Sequence, residues 1–346
     1  MKKSLVALAV LAASGAAMAQ SSVTLFGVVD AGYSVGNGSV SNSTAMRTDR
    51  IGSSRLGFRG VEDLGGGMRA EFWLEAGVAN DSGAAYASNS NNQAVTALAS
   101  AGTQGLTFNR KSTVGLVGSM GEIRLGRDYS PQFYPDAQYD PFGTNGVASS
   151  LIAYGGGFAA VRASNMVAYH SPVVGGLSVM LGSYMGENNT GGAAGKAGDG
   201  NGIHVKYANG PLALGIASAT TKTAAATEVK TSTMGGSYNF GVAAVMFNSN
   251  TVSNTGAVDL KGQLLGLTVP MAGGTFKFSN ASLKQGAAET KRNAVGFVQP
   301  LSKRTSLFAT YARNGNSGGA ARGLNGATVN PNVSSTGYDL GVNHTF

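Results

Sequence analysis

The chain has 346 residues, of which 53 are glycine, about twice the average share of roughly 7%. Charged residues make up only 12%, hydrophobic ones reach 42% and the mean hydropathy is +0.02, the reverse of a disordered chain. Cysteine is absent, which excludes disulfides, thiolate metal sites and a cysteine nucleophile; with three histidines in all, no metal site or cofactor is implied.

The N-terminal segment reads as an export signal. Lys2 and Lys3 precede an apolar run from Leu5 to Ala13, and Ala17-Met18-Ala19 forms a small-residue cleavage site. The run is too short to span a bilayer. Cleavage is expected between Ala19 and Gln20, leaving 20–346 as one domain and lowering the net charge from +8 to +6 through loss of Lys2 and Lys3. Export speaks against a nucleic-acid partner despite the basic pI of 9.6. No later stretch of about 18 apolar residues occurs, so membrane-spanning helices are not expected.

The rest of the chain alternates. Strands are expected at 23–33, 53–63, 68–79, 111–117, 122–128, 165–171, 177–185 and 202–207. The pattern continues at 212–219, 231–240, 242–248, 260–269, 275–283, 291–299, 306–313 and 336–346, giving sixteen candidates. Within 53–63, Arg55 and Arg59 alternate with Leu56 and Phe58; within 68–79, Arg69, Glu71, Trp73 and Glu75 alternate with Ala70, Phe72, Leu74 and Ala76. Every second connection is a tight turn. The others are expected to be long loops, at 35–50, 80–107, 130–163, 187–201, 222–230, 250–258, 285–290 and 315–335. Sorting of short and long connections to opposite ends, with one polar and one apolar face per strand, is the layout of a closed transmembrane barrel with a wet interior. A two-layer sandwich would explain the polar face but not the sorted loops. Glycine inside the strands fits a bent wall with close neighbours.

SSVTLFGVVDAGYS, SRLGFRGVEDLGGGMRAEFWLE, KSTVGLVGSMGEIRLGRDYSP, SKRT at 302–305 and the terminal VNHTF together resemble the general trimeric porins of the β-proteobacterial outer membrane. The resemblance implies an all-β fold: a 16-stranded antiparallel barrel with short periplasmic turns, long extracellular loops and an inward-folded third loop at about 130–163. It implies a multi-pass outer-membrane location, a homotrimer, lipid and lipopolysaccharide as surroundings, and passive diffusion of small hydrophilic solutes and ions. The strand ending in Tyr338, Leu340, Val342 and Phe346 resembles the signal read by the outer-membrane assembly machinery.

Selection in a pore is set by charges at its narrowest point. Arg55, Arg59 and Arg124 share the polar face and are expected to form a basic wall with Lys111, beside Glu71 and Glu75. Arg127 falls out of phase with Arg124. Asp136 and Asp140, on the inward loop, are expected to face that wall and create a transverse field. The net charge of +6 leans toward anions. A substrate-selective channel is the alternative reading. An enzyme is not expected: GxSxG and HExxH are absent and His170, His204 and His344 lie apart.

Overall fold

The computed structural model describes residues 22–86, 105–150, 160–187, 195–223 and 227–346. The expected signal segment, with Ala19 and Gln20, lies outside them. The strands run β1 (Ser22–Asn37), β2 (Ser43–Thr48), β3 (Arg55–Gly65), β4 (Met68–Ala79), β5 (Ala84–Ala85), β6 (Lys111–Gly118), β7 (Gly121–Tyr129), β8 (Arg162–His170) and β9 (Leu177–Tyr184). They continue with β10 (Gly200–Asn209), β11 (Leu212–Lys222), β12 (Glu228–Asn239), β13 (Ala244–Asn254), β14 (Leu260–Met271), β15 (Gly274–Gln285), β16 (Ala288–Pro300), β17 (Thr305–Ser317) and β18 (Ser335–Thr345). All pairings are antiparallel, and β1 pairs with β18, so the sheet closes on itself. β2 and β3 share one edge of β1, opposite residues 31–36 and 22–28 respectively, and act as a single interrupted wall strand. The two-residue β5 extends β4 only at its tip. The wall is therefore a closed barrel of sixteen strands, with every ladder hydrogen bond made internally as hydrocarbon demands.

Register decides which side chains point inward. Arg55 lies opposite Val28 and Gly77, Glu75 opposite Gly57 and Lys111, and Gly115 opposite Glu71 and Arg124. Following such partners around all sixteen strands returns to the same face at β18 and β1, where Asp339 lies opposite Thr310 and Ser34. The inward set is polar and shielded: Asp30, Ser34, Asn314 and Asp339 are at most 1% exposed. The outward set is apolar and bare: Leu25, Leu116, Ile216 and Leu265 are each 55–58% exposed. That inversion is the pattern of a barrel with lipid outside and water within. On β18, Tyr338, Leu340 and Val342 face outward with the terminal Phe346, whose backbone exchanges two 3.1 Å bonds with Gly27.

Three loop expectations change. Most of 35–50 is strand, because β1 runs to Asn37 and β2 starts at Ser43. The interruption at 49–54 is organised by Asp30, whose carboxylate accepts the N–H groups of Arg50 (2.5 Å), Ile51 (3.1 Å) and Gly52 (3.0 Å). Asp49 stands at φ +62° within it. The expected loop at 285–290 is a two-residue turn, since the β15–β16 ladder continues to Gln285 opposite Ala288. The ladder also absorbs most of 250–258, with β13 running to Asn254. Replacing Asp30 by Ala removes the acceptor of three backbone donors and should destabilise the refolded barrel by about 3 kcal/mol, at roughly 1–3 kcal/mol for each donor left unmade. A fall in the urea midpoint would show it; an unchanged midpoint would mean that water replaces the carboxylate.

Candidate functional site: the constriction

Between β7 and β8 the chain leaves the wall. This third loop, L3, described at 130–150 and 160–161, carries the short helix α1 (Phe133–Gln138), and its residues 131–150 run along the inner surface. Its seat is a track of inward glycines. An added Cβ would meet Pro131 at 3.1 Å from both Gly182 (β9) and Gly202 (β10). It would meet Tyr139 at 3.1 Å from Gly215 (β11) and 2.5 Å from Gly235 (β12). It would meet Pro141 at 2.3 Å from Gly266 (β14), Phe142 at 2.8 Å from Gly296 (β16) and Val147 at 3.0 Å from Gly337 (β18). Polar anchors stand between them. Asn248 of β13 donates to the Pro135 carbonyl (3.2 Å) and to Asp136 (3.0 Å). Arg292 of β16 donates to the Ser149 carbonyl (2.6 Å), and Asp339 of β18 accepts the Val147 N–H (2.7 Å). The Tyr134 ring stacks on His204 of β10, with centroids 5.4 Å apart and 8° between planes. L3 thus lies against β9–β18 and touches the 49–53 segment, where the Asp49 carbonyl accepts the Gly146 N–H (3.1 Å) and Ser53 donates to Asn145 Oδ1 (3.0 Å); the rest of the β1–β8 arc faces the remaining lumen.

That arc holds the charges. Arg55, Arg59, Glu71, Glu75, Lys111 and Arg124 all project inward by register. At one level, Glu75 accepts from Arg110 Nε at 2.6 Å and lies 3.7 Å from Arg55 Nε. Beside it, Lys111 (2.9 Å) and Arg124 (2.7 Å) converge on Asp128 Oδ2, and Arg124 reaches toward the termini end to bind Glu122 at 2.6 Å. Arg59 lies over Phe26 (5.6 Å to the centroid) and Trp73 (5.4 Å), while Lys111 covers Trp73 at 5.0 Å. Arg127 lies opposite Ser112, on the other face from Arg124, and binds the Asn109 carbonyl and Ser164.

Asp136 and Asp140 do not face this wall. Asp136 is 2% exposed and turned into β13. Asp140 is 6% exposed and serves as the internal brace of L3, accepting Phe142 N–H (2.9 Å), Thr144 N–H (2.8 Å) and the Ser150 hydroxyl (2.5 Å). Burial raises its pKa, against the lowering effect of those hydrogen bonds. Turn-type acids bind nearby backbone N–H groups before they reach across a water column, so neither acid supplies the acidic side of the expected transverse field. Tyr139, wholly buried on its two glycines, has its phenol pushed up to about 12 by desolvation and is neutral at physiological pH.

Three arginines beyond the expected set reach the constriction. Arg50, Arg110 and Arg162 line one cavity with Phe133, Asn145 and Ser149 of L3. Arg50 lies 3.6 Å from Asp339 and donates to the Thr48 carbonyl. Arg162 donates to the Arg110 carbonyl (2.8 Å) and covers the Tyr129 ring at 4.8 Å. All three sit at strand ends or in the 49–54 interruption, where alternation carries no information about direction.

A closed barrel with a polar interior, narrowed by a loop folded inside it, defines a water-filled diffusion channel. The chain belongs to the Gram-negative porin family, whose model matches residues 4–319, and it is accordingly an outer-membrane porin. It is 37% identical to outer membrane porin protein 32 of Delftia acidovorans, with all of both chains covered. It is 29% identical to an outer membrane porin protein of Bordetella pertussis, over 91% of this chain and 95% of that one. Among solved structures, the anion-selective porin from Comamonas acidovorans superposes with a TM-score of 0.82 at 33% identity, covering 94% of this chain and 100% of that one.

The glycine track makes a direct prediction. Gly235→Leu puts a branched side chain where the Tyr139 ring lies and should push L3 toward the β1–β8 arc. Single-channel conductance should fall clearly below wild type, at an overpacking cost of about 1–3 kcal/mol. Unchanged conductance would show that L3 is not positioned by this seat.

Proposed function

We propose that the pore conducts small hydrophilic solutes without a dedicated substrate and prefers anions. One observation carries the preference: L3 turns both of its acids away from the lumen, while the wall facing it presents Arg50, Arg55, Arg110 and Arg162. The acids beside these arginines are Asp30, Asp49, Glu75 and Asp339, but Asp30, Asp49 and Asp339 are engaged by the backbone N–H groups of Arg50, Ile51, Gly52, Ser54 and Val147, so the guanidinium groups are the charges turned to the gap. A thin water column between low-dielectric walls strengthens that potential. The net charge and the anion selectivity of the Comamonas protein support the same sign. Arg59, Lys111 and Arg124 line the approach with Glu71, Glu122 and Asp128, where acids and bases balance.

Zero-current potentials in a salt gradient test the sign, and a cation preference would refute it. Replacing Arg50, Arg110 and Arg162 together by Gln should lower the chloride-to-potassium permeability ratio at least about twofold, whereas Glu75→Gln should raise it. The arrangement of Arg59 and Lys111 over Phe26 and Trp73 is the one feature that favours a selective channel. Liposome swelling separates the two readings: rates ordered by solute size support general diffusion, and one outlying anion abolished by Arg59→Gln supports selection.

The same reading makes the chain a passive channel without an enzymatic role, exported by cleavage after Ala19. It gives the outward strand Tyr338–Leu340–Val342–Phe346 to the assembly machinery. It also makes the particle a homotrimer, which the resemblance to trimeric porins and the uninterrupted non-polar outer face of β1, from Val23 to Val35, support. Conductance closing in three equal steps is the expected record.

A further inference from the structure

The loop between β17 and β18, L8 (318–334), also enters the mouth of the barrel. Its Leu324 is 2% exposed and packs in one cluster with Phe142, Val147 and Ala148 of L3. The two loops share a seat: a Cβ added to Gly337 would meet Val147 at 3.0 Å and Leu324 at 3.1 Å. Further along, Thr328 N–H donates to the Ser41 carbonyl (3.0 Å), which ties L8 to the turn between β1 and β2.

That seating carries Asn325 to Arg50. Asn325 stands at φ +48°, left-handed backbone that asparagine adopts more readily than most residues. Its amide oxygen accepts from Arg50 Nη1 (3.3 Å). Its amide nitrogen donates to Asp339 Oδ1 (2.8 Å) and to the Val35 and Tyr338 carbonyls (3.2 Å each). Asp339 is thereby filled: Oδ1 also accepts the Ser34 hydroxyl (2.7 Å), and Oδ2 accepts the Val147 N–H (2.7 Å). Arg50 Nη1 stays 3.6 Å from Asp339 Oδ2, beyond hydrogen-bond distance. The other acids beside Arg50, Asp30 and Asp49, are held by backbone N–H groups of 50–54. A neutral amide thus stands between the cation and the carboxylate that its guanidinium approaches.

We propose that Asn325 is a positioning residue for ion selection. By accepting from Arg50 and donating to Asp339, it holds the guanidinium off the carboxylate and turned to the gap. Without the amide, Arg50 loses an acceptor and Asp339 loses a donor, and each is at hand to replace the other's missing partner. The pair would close to a charge-assisted contact of about 2.8 Å, and the potential that the guanidinium projects into the water column would fall. L8 therefore contributes to selection at the constriction without placing a charge there. The inference rests on the anion preference proposed above.

Asn325→Gly removes the amide and keeps the backbone, since glycine adopts positive φ freely. Zero-current potentials in a salt gradient should show the chloride-to-potassium permeability ratio falling at least about 1.3-fold. In the Arg50→Gln background the same change should leave the ratio where Arg50→Gln alone puts it, because no guanidinium remains to be captured; such non-additivity marks a residue that acts through its neighbour. Asn332→Gly is the loop control. Asn332 is a second left-handed asparagine of L8 (φ +67°), and its side chain accepts the Gly319 N–H (2.7 Å) within the loop. This variant should keep the wild-type ratio. Heat-modifiable migration verifies the folding of each variant. An unchanged ratio in Asn325→Gly, an equal fall in the Arg50→Gln background, or an equal fall in Asn332→Gly would each overturn the proposal. A wild-type pore that prefers cations would refute the anion preference instead, while an undiminished coupling between positions 325 and 50 would still support the positioning role.

Discussion

Closure of the sheet is the constraint on which the rest depends. A backbone crossing hydrocarbon must satisfy every N–H and C=O internally, and a strand-built wall does so only without edges. The β1–β18 ladder removes the last edge. Once the ring is closed by sixteen strands, one residue's direction fixes all the others, since a slip of one residue would exchange the lipid and water faces of a whole strand. Ser34, Asp339 and Thr310 sit inside, and Tyr33, Leu340 and Tyr311 outside, by that single rule.

A ring this wide cannot be filled by its own side chains, as a smaller barrel can. The chain fills it with L3, and the wall yields space by omitting side chains along one track. A glycine inside a strand costs roughly 0.5–1 kcal/mol relative to alanine. The track accepts that cost at Gly215, Gly235, Gly266 and Gly296, and recovers contact by seating Tyr139, Pro141 and Phe142 against bare backbone. The high glycine content therefore has a specific geometric use beyond wall curvature: it sets how far the loop stands off the wall, and so the width of the remaining passage.

Much of this was legible in the sequence, and the boundary of legibility has a physical cause. Period-two alternation located the wall strands and put Arg55, Arg59, Glu71, Glu75, Lys111 and Arg124 on one face, because strand geometry is local and repetitive. It was silent where the ladder is interrupted. Arg50 depends on Asp30 gathering the backbone of 49–54, a contact between chain segments about twenty residues apart. Arg110 and Arg162 stand at strand starts, outside any alternating phase. Asp136 and Asp140 were visible as residues but not in direction, since an aspartate in a turn can bind its own loop or reach across solvent.

The burial of the two L3 acids and the width of the pore are parts of one solution. A loop suspended inside a water-filled tube has few neighbours with which to satisfy its turns, so its own carboxylate does so: Asp140 holds Phe142, Thr144 and Ser150 together. Asp136 ties the loop to the wall through Asn248. Having been used to hold L3 in shape and in place, neither acid is available to offset the arginines across the gap. The lumen-facing side of the loop is left with uncharged Asn145 and Ser149 opposite Arg50, Arg110 and Arg162. A basic face at the narrowest level thus follows from how the loop is braced, without any residue being dedicated to repelling cations.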